Sequence, residues 1–312
     1  MKWFCLFARW VKILVGRSYY HQPQRLGKAF RPGELAGYFN DLTKKTRWVG
    51  SVDKEGIPVN ILADGRRVYF PTTIVQKALG HWDEWLLTND RAHKEEFTKL
   101  CRWLLARQDE PGGWPIWQNL GLPTPSPYSA MTQGECISAF VRAWKLTSDP
   151  AFAEGAKRAF DLMCRPIESG GTAIIDGENF FLEEIPVVPR TSILNGWIFA
   201  LFGLYDLWLA TEDEDVHRLF MLSYNTLKQH LQEYDAGFWS YYDVLGHLSS
   251  PFYHDLHLYR LRALAMLDND SVITDCLKRW IAYQRSWKNR ARALLTKAIQ
   301  KLWNPGEVVI IQ

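Results

Sequence analysis

The chain has 312 residues, 47% of them apolar and 23% charged, which excludes a disordered polymer and supplies material for one large core. Five cysteines (Cys5, Cys101, Cys136, Cys164 and Cys276) are odd in number and free of CxxC pairs, which excludes a disulfide framework and a zinc knuckle and fits a reducing compartment. Net charge is only +3, and the 14% aromatic content exceeds what a core requires, a surplus shared by bulky cores and by clefts in which rings stack on sugars.

In chain order, the opening run MKWFCLFARWVKILVG is interrupted by Arg9 and Lys12 and is too short to span a bilayer; no small-residue cleavage site follows it. Trp3, Phe7, Trp10 and Leu14 recur at helical spacing, which fits an interfacial anchor and a packing arm equally well. Residues 16 to 70 are broken by glycine and proline, and GIPVNILADGRRVYF predicts two short strands about an Asp64-Gly65 turn. From Thr72 the pattern becomes helical and repeats. Four segments, starting at Leu86, Lys145, Leu209 and Ala265, each combine an aromatic-rich helix, a short polar turn and an amphipathic helix. Asp90, Asp149, Asp213 and Asp270 are placed to cap the second helix of each pair, with Pro150 at a tolerated first position. First helices such as LNGWIFALFGLYDLWLA are apolar on all sides and predict burial, whereas the second helices carry a single apolar stripe. Inner helices alternating with outer ones make an all-α fold, an incomplete α/α toroid of about four hairpins with a short irregular and β N-terminal segment. The expected division is an arm and β-hairpin over 1 to 67, a toroid over 68 to 285, and a basic helix and tail over 286 to 312. Between Asp275 and Glu307 lie eight basic residues and no acid, a composition suited to a polyanion, an anionic membrane surface or a solvated face.

A toroid gathers the loops at one end of its inner helices around a cleft, so the long inter-hairpin loops, 108 to 130, 165 to 193 and 234 to 257, are the expected carriers of function. The second holds Glu183, Glu184 and Arg190 among prolines. The third holds Tyr241, Tyr242, Asp243, His247, Tyr253, His254, Asp255 and His257. A carboxylate beside rigid prolines, facing tyrosines, can move protons. His254 and His257 with Asp255 offer a metal alternative, but spacing of this kind more often marks a satisfied polar cluster, and no metal is expected. No phosphate-cradling glycine loop, GxSxG elbow or Ser/His/Asp order is present.

Several co-linear runs resemble the C-terminal catalytic domain of heparosan D-glucuronyl C5-epimerases. They are VYFPTTIVQKALGHWDEWL, QDEPGGWPI, YSAMTQGECISAFVRAWKLTSD, EEIPVVP with LNGWIFALFGLYDL, YYD and FYHDLH, covering roughly residues 68 to 285. The resemblance implies cofactor-free abstraction of the C5 proton of a glucuronate within a polysaccharide and reprotonation from the opposite face to give iduronate. It assigns acid/base work to Glu184 and Tyr253, adds Tyr242 as a third catalytic candidate, and places Glu183, Arg190, His247, His254, His257, Tyr128, Gln133, Trp114, Trp117 and Asn195 around the substrate. It also implies a compact, bacterial version of the family, without the β-rich domains that precede the catalytic domain in animal members.

Two departures stand out. The tyrosine that follows the paired glutamates in the family is Ile185 here, and the family's arginine before the histidine is replaced by Leu245-Gly246. Arg190 or His254 is the expected substitute for the lost cation. The rival functions are a toroid polysaccharide lyase, which starts from the same proton abstraction, and a non-catalytic glycan-binding relative. Expected partners are an acidic polysaccharide, a peripheral membrane contact and a second copy in a homodimer, with no nucleic acid; the expected location is the cytoplasm, at the inner membrane face.

Overall fold

The protein is described by a computed structural model over residues 22 to 303. The segment carrying Trp3, Phe7, Trp10 and Leu14 lies outside the described residues, as does Cys5. The helices form four consecutive hairpins. These are α1 (Pro71–Thr88) with α2 (Arg91–Leu105), α3 (Ala130–Thr147) with α4 (Pro150–Met163), α5 (Leu194–Thr211) with α6 (Glu214–His230), and α7 (Pro251–Asp268) with α8 (Ser271–Arg285). A last helix, α9 (Trp287–Trp303), follows the fourth hairpin. Helices α1, α3, α5 and α7 pack in that order and are buried on most sides, while α2, α4, α6 and α8 bury one stripe each, so the architecture is an incomplete α/α toroid.

One local device builds every hairpin. Each inner helix ends on a residue in the left-handed conformation, Asn89, Ser148, Glu212 or Asn269, with φ of 56, 60, 56 and 53°. The next residue is the aspartate expected from the sequence, and its carboxylate accepts from an amide in the first turn of the outer helix, at 2.9 Å for Asp90, 3.1 Å for Asp149, 2.8 Å for Asp213 and 2.8 Å for Asp270. In three hairpins the last residue of the inner helix is a threonine whose hydroxyl donates back to a carbonyl four residues earlier and accepts from the aspartate amide. The turn thus satisfies donors and acceptors that two helix ends would otherwise leave open, which reverses the chain tightly.

The tightest inner contact is between α3 and α5, where Gly134 and Gly203 face each other and a Cβ on either would run into the other helix's backbone. Alanine in place of glycine usually stabilises a helix interior by up to about 1 kcal/mol. At Gly203 the sign should reverse: Gly203→Ala is expected to lower unfolding stability by roughly 1–3 kcal/mol in a urea melt, because the helices must part.

The N-terminal segment is a plug rather than a neighbour. Phe30, Tyr38, Phe39 and Leu42 belong to the main core, and Phe39 stacks on Phe202 of α5 at 4.0 Å. Its backbone is pinned by side chains from the turn ends of two inner helices: Tyr38 N–H donates to Asp83 (2.8 Å), the Ala36 carbonyl accepts from Trp82 (2.9 Å), and Arg142 donates to the carbonyls of Ala36 and Gly37. That closes the turn end of the toroid around the buried Arg142–Asp206 pair. The expected strands are present as β2 (Pro58–Ile61) and β3 (Arg67–Val68), antiparallel about Gly65, with β1 (Ser51–Val52) added on the other edge of β2. A second hairpin, β4 (Ala173–Asp176) with β5 (Asn179–Leu182), stands inside the second long loop, which the sequence reading left without secondary structure.

Candidate functional site

The open end of the toroid is the end where the inner helices begin, and the long loops return there. β5 delivers Glu183 and Glu184 to the start of α5. Glu183 is fully buried and spent on the loop itself: its carboxylate accepts from the Ser192 amide (2.8 Å), the Ser192 hydroxyl and Thr191 (3.2 Å), and its backbone bridges Thr172 and Ala130. Glu184 is the opposite. It is half-buried, its Oε2 has no hydrogen-bond partner among the described residues, and it lies over Gly196 in the first turn of α5, where any Cβ would overlap it. Burial raises the Glu184 carboxyl to about 7, against the opposing pull of Arg260 and with a further push from Glu183.

The third loop brings two phenols to the same place. Tyr242 and Tyr253, the latter on the first turn of α7, sit with ring centroids 4.8 Å apart and share a side-chain hydrogen bond. The Tyr242 phenol is pushed well up by burial, and next by the charge of Glu184, so these residues form one electrostatic unit. Tight backbone pairing shapes the loop: Tyr242 N–H donates to the His247 carbonyl (2.7 Å), and Asp243 accepts from the amides of Leu245 and His247 and from the His247 ring (2.7 Å). The Leu245-Gly246 replacement fits this turn, since Gly246 has φ of 83°.

Beneath them lies a cation with no role in the sequence reading. Arg260 of α7 is fully buried, stacks on Phe199 at 3.9 Å, and feels the charges of Tyr38, Glu135, Tyr253 and Glu184; burial lowers it to about 9. Glu135 of α3, also buried and raised to about 8 by that burial, accepts from Gln76 of α1 (2.9 Å). Lys45, lowered to about 7, feels Glu135 from the plug. Glu184, Arg260, Glu135 and Lys45 therefore form a chain of mutually acting charges. Spacing could have flagged Arg260: it lies three residues after His257 on the buried face of α7, an expensive place for a guanidinium.

The other candidates are distributed unevenly. Trp117 is closely tied to the cluster, since its indole N–H donates to the carbonyls of Tyr128 (2.9 Å) and Glu184 (3.1 Å), and Ile185 packs against it. Asn195, next to Gly196, is buried with its Oδ1 unpartnered. Tyr128 donates to Asp109 (2.7 Å), Trp114 donates to Leu104 O (2.9 Å) in the main core, and Gln133 donates to the carbonyls of Gly112 and Ala159. His254 and His257 are buried around the Ser240 hydroxyl, at 2.8 and 3.0 Å, with His254 stacked on Trp239 and lowered to about 4 by burial. His247 is half-exposed on Asp243. Arg190 pairs with Glu233 (2.8 Å) and lies over Phe181, and it is absent from the charges acting on Glu184.

Among the described residues no group of three or more histidine, cysteine, aspartate and glutamate side chains is arranged to hold a metal. A concavity of about 820 Å³ on the outer face of α2, lined by Glu55, Arg91, Lys94, Arg102, Trp103 and Arg107 among others, lies away from the cluster. Its size carries no chemistry by itself: Glu95, an acid in its wall, is exposed and paired with Arg91.

The sequence profile of the D-glucuronyl C5-epimerase C-terminus family matches residues 108–282. A D-glucuronyl C5-epimerase of Caenorhabditis elegans is 31% identical over 220 residues, which are 61% of this chain and 35% of that protein. An uncharacterized protein of Methanocaldococcus jannaschii, MJ1128, is 28% identical over 155 residues, 48% of this chain and 50% of it. The chain thus spans between a third and a half of the relatives it matches. Among solved structures, a family 76 glycoside hydrolase from a bovine Bacteroides thetaiotaomicron strain shares 10% identity at a TM-score of 0.43, covering 62% of this chain and 43% of that one. The profile match takes in more than half of the 312 residues, from the first long loop into α8 and including Glu184, Tyr242 and Tyr253, and on that extent the chain belongs to the D-glucuronyl C5-epimerase C-terminus family.

Proposed function

We propose that the chain is a uronate C5-epimerase acting on a glucuronate-containing acidic polysaccharide, with Glu184 and the Tyr253 phenol exchanging the C5 proton from opposite faces of one sugar ring. Loss of that proton leaves a carbanion conjugated to the adjacent carboxylate, so the reaction needs a base, an opposing donor and nearby positive charge as the enediolate forms. Glu184 supplies the base. Its carboxylate has lone pairs for a C–H proton, Oε2 being buried over Gly196 and unpartnered among the described residues, and a carboxyl raised to about 7 is both partly ionised at neutral pH and basic enough to accept. Tyr253 supplies the donor, and Tyr242 relays to it through their shared hydrogen bond. Arg260 is the positioning cation: a guanidinium acting on both Glu184 and Tyr253 favours the anionic form of each, as proton exchange in either direction requires. In this reading it does the work of the missing family arginine, in preference to Arg190 or His254. Trp117 and Asn195 form the near wall, and Tyr128, Trp114, Gln133, His254 and His257 hold the loops rather than the sugar. The observation that carries the reading is the single electrostatic neighbourhood of Glu184, Tyr242, Tyr253 and Arg260 at the open end of the toroid.

The test is incubation in heavy water with a panel of uronate polymers. Deuterium is expected at C5 with chain length intact, at a rate that rises with pH through about 7, because Glu184 must be ionised to accept a proton. Chain shortening with new ultraviolet absorbance would instead identify a lyase. Polymer binding without exchange would identify a non-catalytic relative.

A further inference from the structure

Helix α9 is amphipathic with its faces reversed. Its inward side is polar: Gln300 accepts from Leu248 N–H (2.9 Å) and donates to Gly246 O (3.1 Å), Lys297 donates to Leu248 O (2.5 Å), and only Ala293 is fully buried. Its outward side is apolar. Trp287, Leu294, Leu295, Ile299, Leu302 and Trp303 are 68, 49, 67, 53, 65 and 83% exposed, the largest group of exposed apolar side chains among the described residues. At about 100° per residue, Trp287, Leu294, Leu295 and Leu302 fall within an arc of roughly 100°, bordered by Arg290 and Lys301 on one edge and by Lys288 and Arg292 on the other. From Lys278 to Lys301 there is no acidic side chain.

We propose that α9 is an interfacial helix that seats the protein on an anionic lipid surface. An apolar stripe with cations along both edges and tryptophan at each end suits the boundary between headgroups and acyl chains, where the stripe leaves water and the cations stay among phosphates. The helix lies on the surface and does not cross it, since no described helix is long and apolar enough to span. A second copy of the chain fits this face poorly. Two such helices would align like charges along both edges of the stripe. The inward bonds from Lys297 and Gln300 fix α9 to the loop that carries Tyr242 and His247, so seating α9 would hold the open end of the toroid at a set height above the lipid. The inference is independent of the reaction proposed above.

The 312-residue chain is expected to cosediment with vesicles of phosphatidylcholine mixed with phosphatidylglycerol, and to bind at least about tenfold less to phosphatidylcholine alone or at high salt. The double variant L295E/I299E should lose roughly a hundredfold in partitioning, with an unchanged melting temperature because both side chains already face water. Absence of the wild type from anionic vesicles would overturn the proposal. So would full binding by the double variant, which would assign the contact to another segment such as the N-terminal run. Sedimentation of the wild type as a dimer that L295E/I299E splits would make the face a self-interface instead.

Discussion

Glu184→Gln is expected to lower C5 deuterium incorporation by roughly 10²- to 10⁴-fold while leaving the fold intact. Glutamine keeps the volume and one acceptor oxygen over Gly196, so packing changes little, but the amide cannot take up a proton. Stability should move the other way. The folded carboxyl lies at about 7, above its ordinary value, so the folded state binds an extra proton between the two values and this glutamate costs stability as pH rises through that window. Glu184→Gln removes that cost and should leave the melting temperature at pH 8 equal to or higher than that of the wild type. A variant with full exchange would remove Glu184 from the reaction; a variant that fails to fold would contradict its half-buried, unpartnered setting. Polymer binding measured in parallel should be retained, because the near wall of Trp117 and Asn195 is untouched.

Arg142→Met should be the most destabilising single change of those considered. Arg142 and Asp206 are each 1% exposed, joined at 2.5 and 3.3 Å, and the guanidinium also satisfies the carbonyls of Ser138, Ala36 and Gly37. Methionine fills much of the space, but it leaves a buried carboxyl, raised by that burial, without its partner and three carbonyls with fewer donors. Breaking one side of a buried pair costs about 3–5 kcal/mol, which calorimetry should read as a fall on the order of 10 °C in melting temperature. The companion variant R142M/D206L should recover part of the loss, since two apolar side chains replace a buried pair at little net cost. If the double variant melts no higher than R142M, the defect lies in the plug's carbonyls rather than in the stranded carboxylate.

Much of the fold was legible because its determinants are local. The aspartates at 90, 149, 213 and 270 announced four outer helices, and each caps one, since a carboxylate two residues before an open amide needs only short-range geometry to act. Apolar periodicity separated buried inner helices from half-buried outer ones for the same reason. The β4–β5 hairpin was missed, although Asp176-Gly177 between apolar pairs is a turn signal, because it stands in a loop otherwise broken by glycine and proline.

The candidate site was legible in its residue types and less so in their partners. Glu184, Tyr242 and Tyr253 stood out by resemblance and by their setting among prolines and aromatics. Glu183 carries the same chemistry one position earlier but is consumed by Ser192 and Thr191, which lie against it. Arg190 was a reasonable cation by sequence distance, yet it lies over Phe181 with Glu233, while Arg260, some 76 positions from Glu184, feels both Glu184 and Tyr253.

The sequence by itself determined the helical repeat, its capped turns, the long loops at one end, and a basic, acid-free final helix. Only the tertiary structure decided that residues 22 to 46 fill the turn end, that Arg260 sits under the phenols, and that α9 turns its apolar side outward. Those three outcomes depend on contacts between residues tens to hundreds of positions apart, and burial, which sets the charge state of Glu184 and the cost of stranding Asp206, exists only once such contacts close around a side chain.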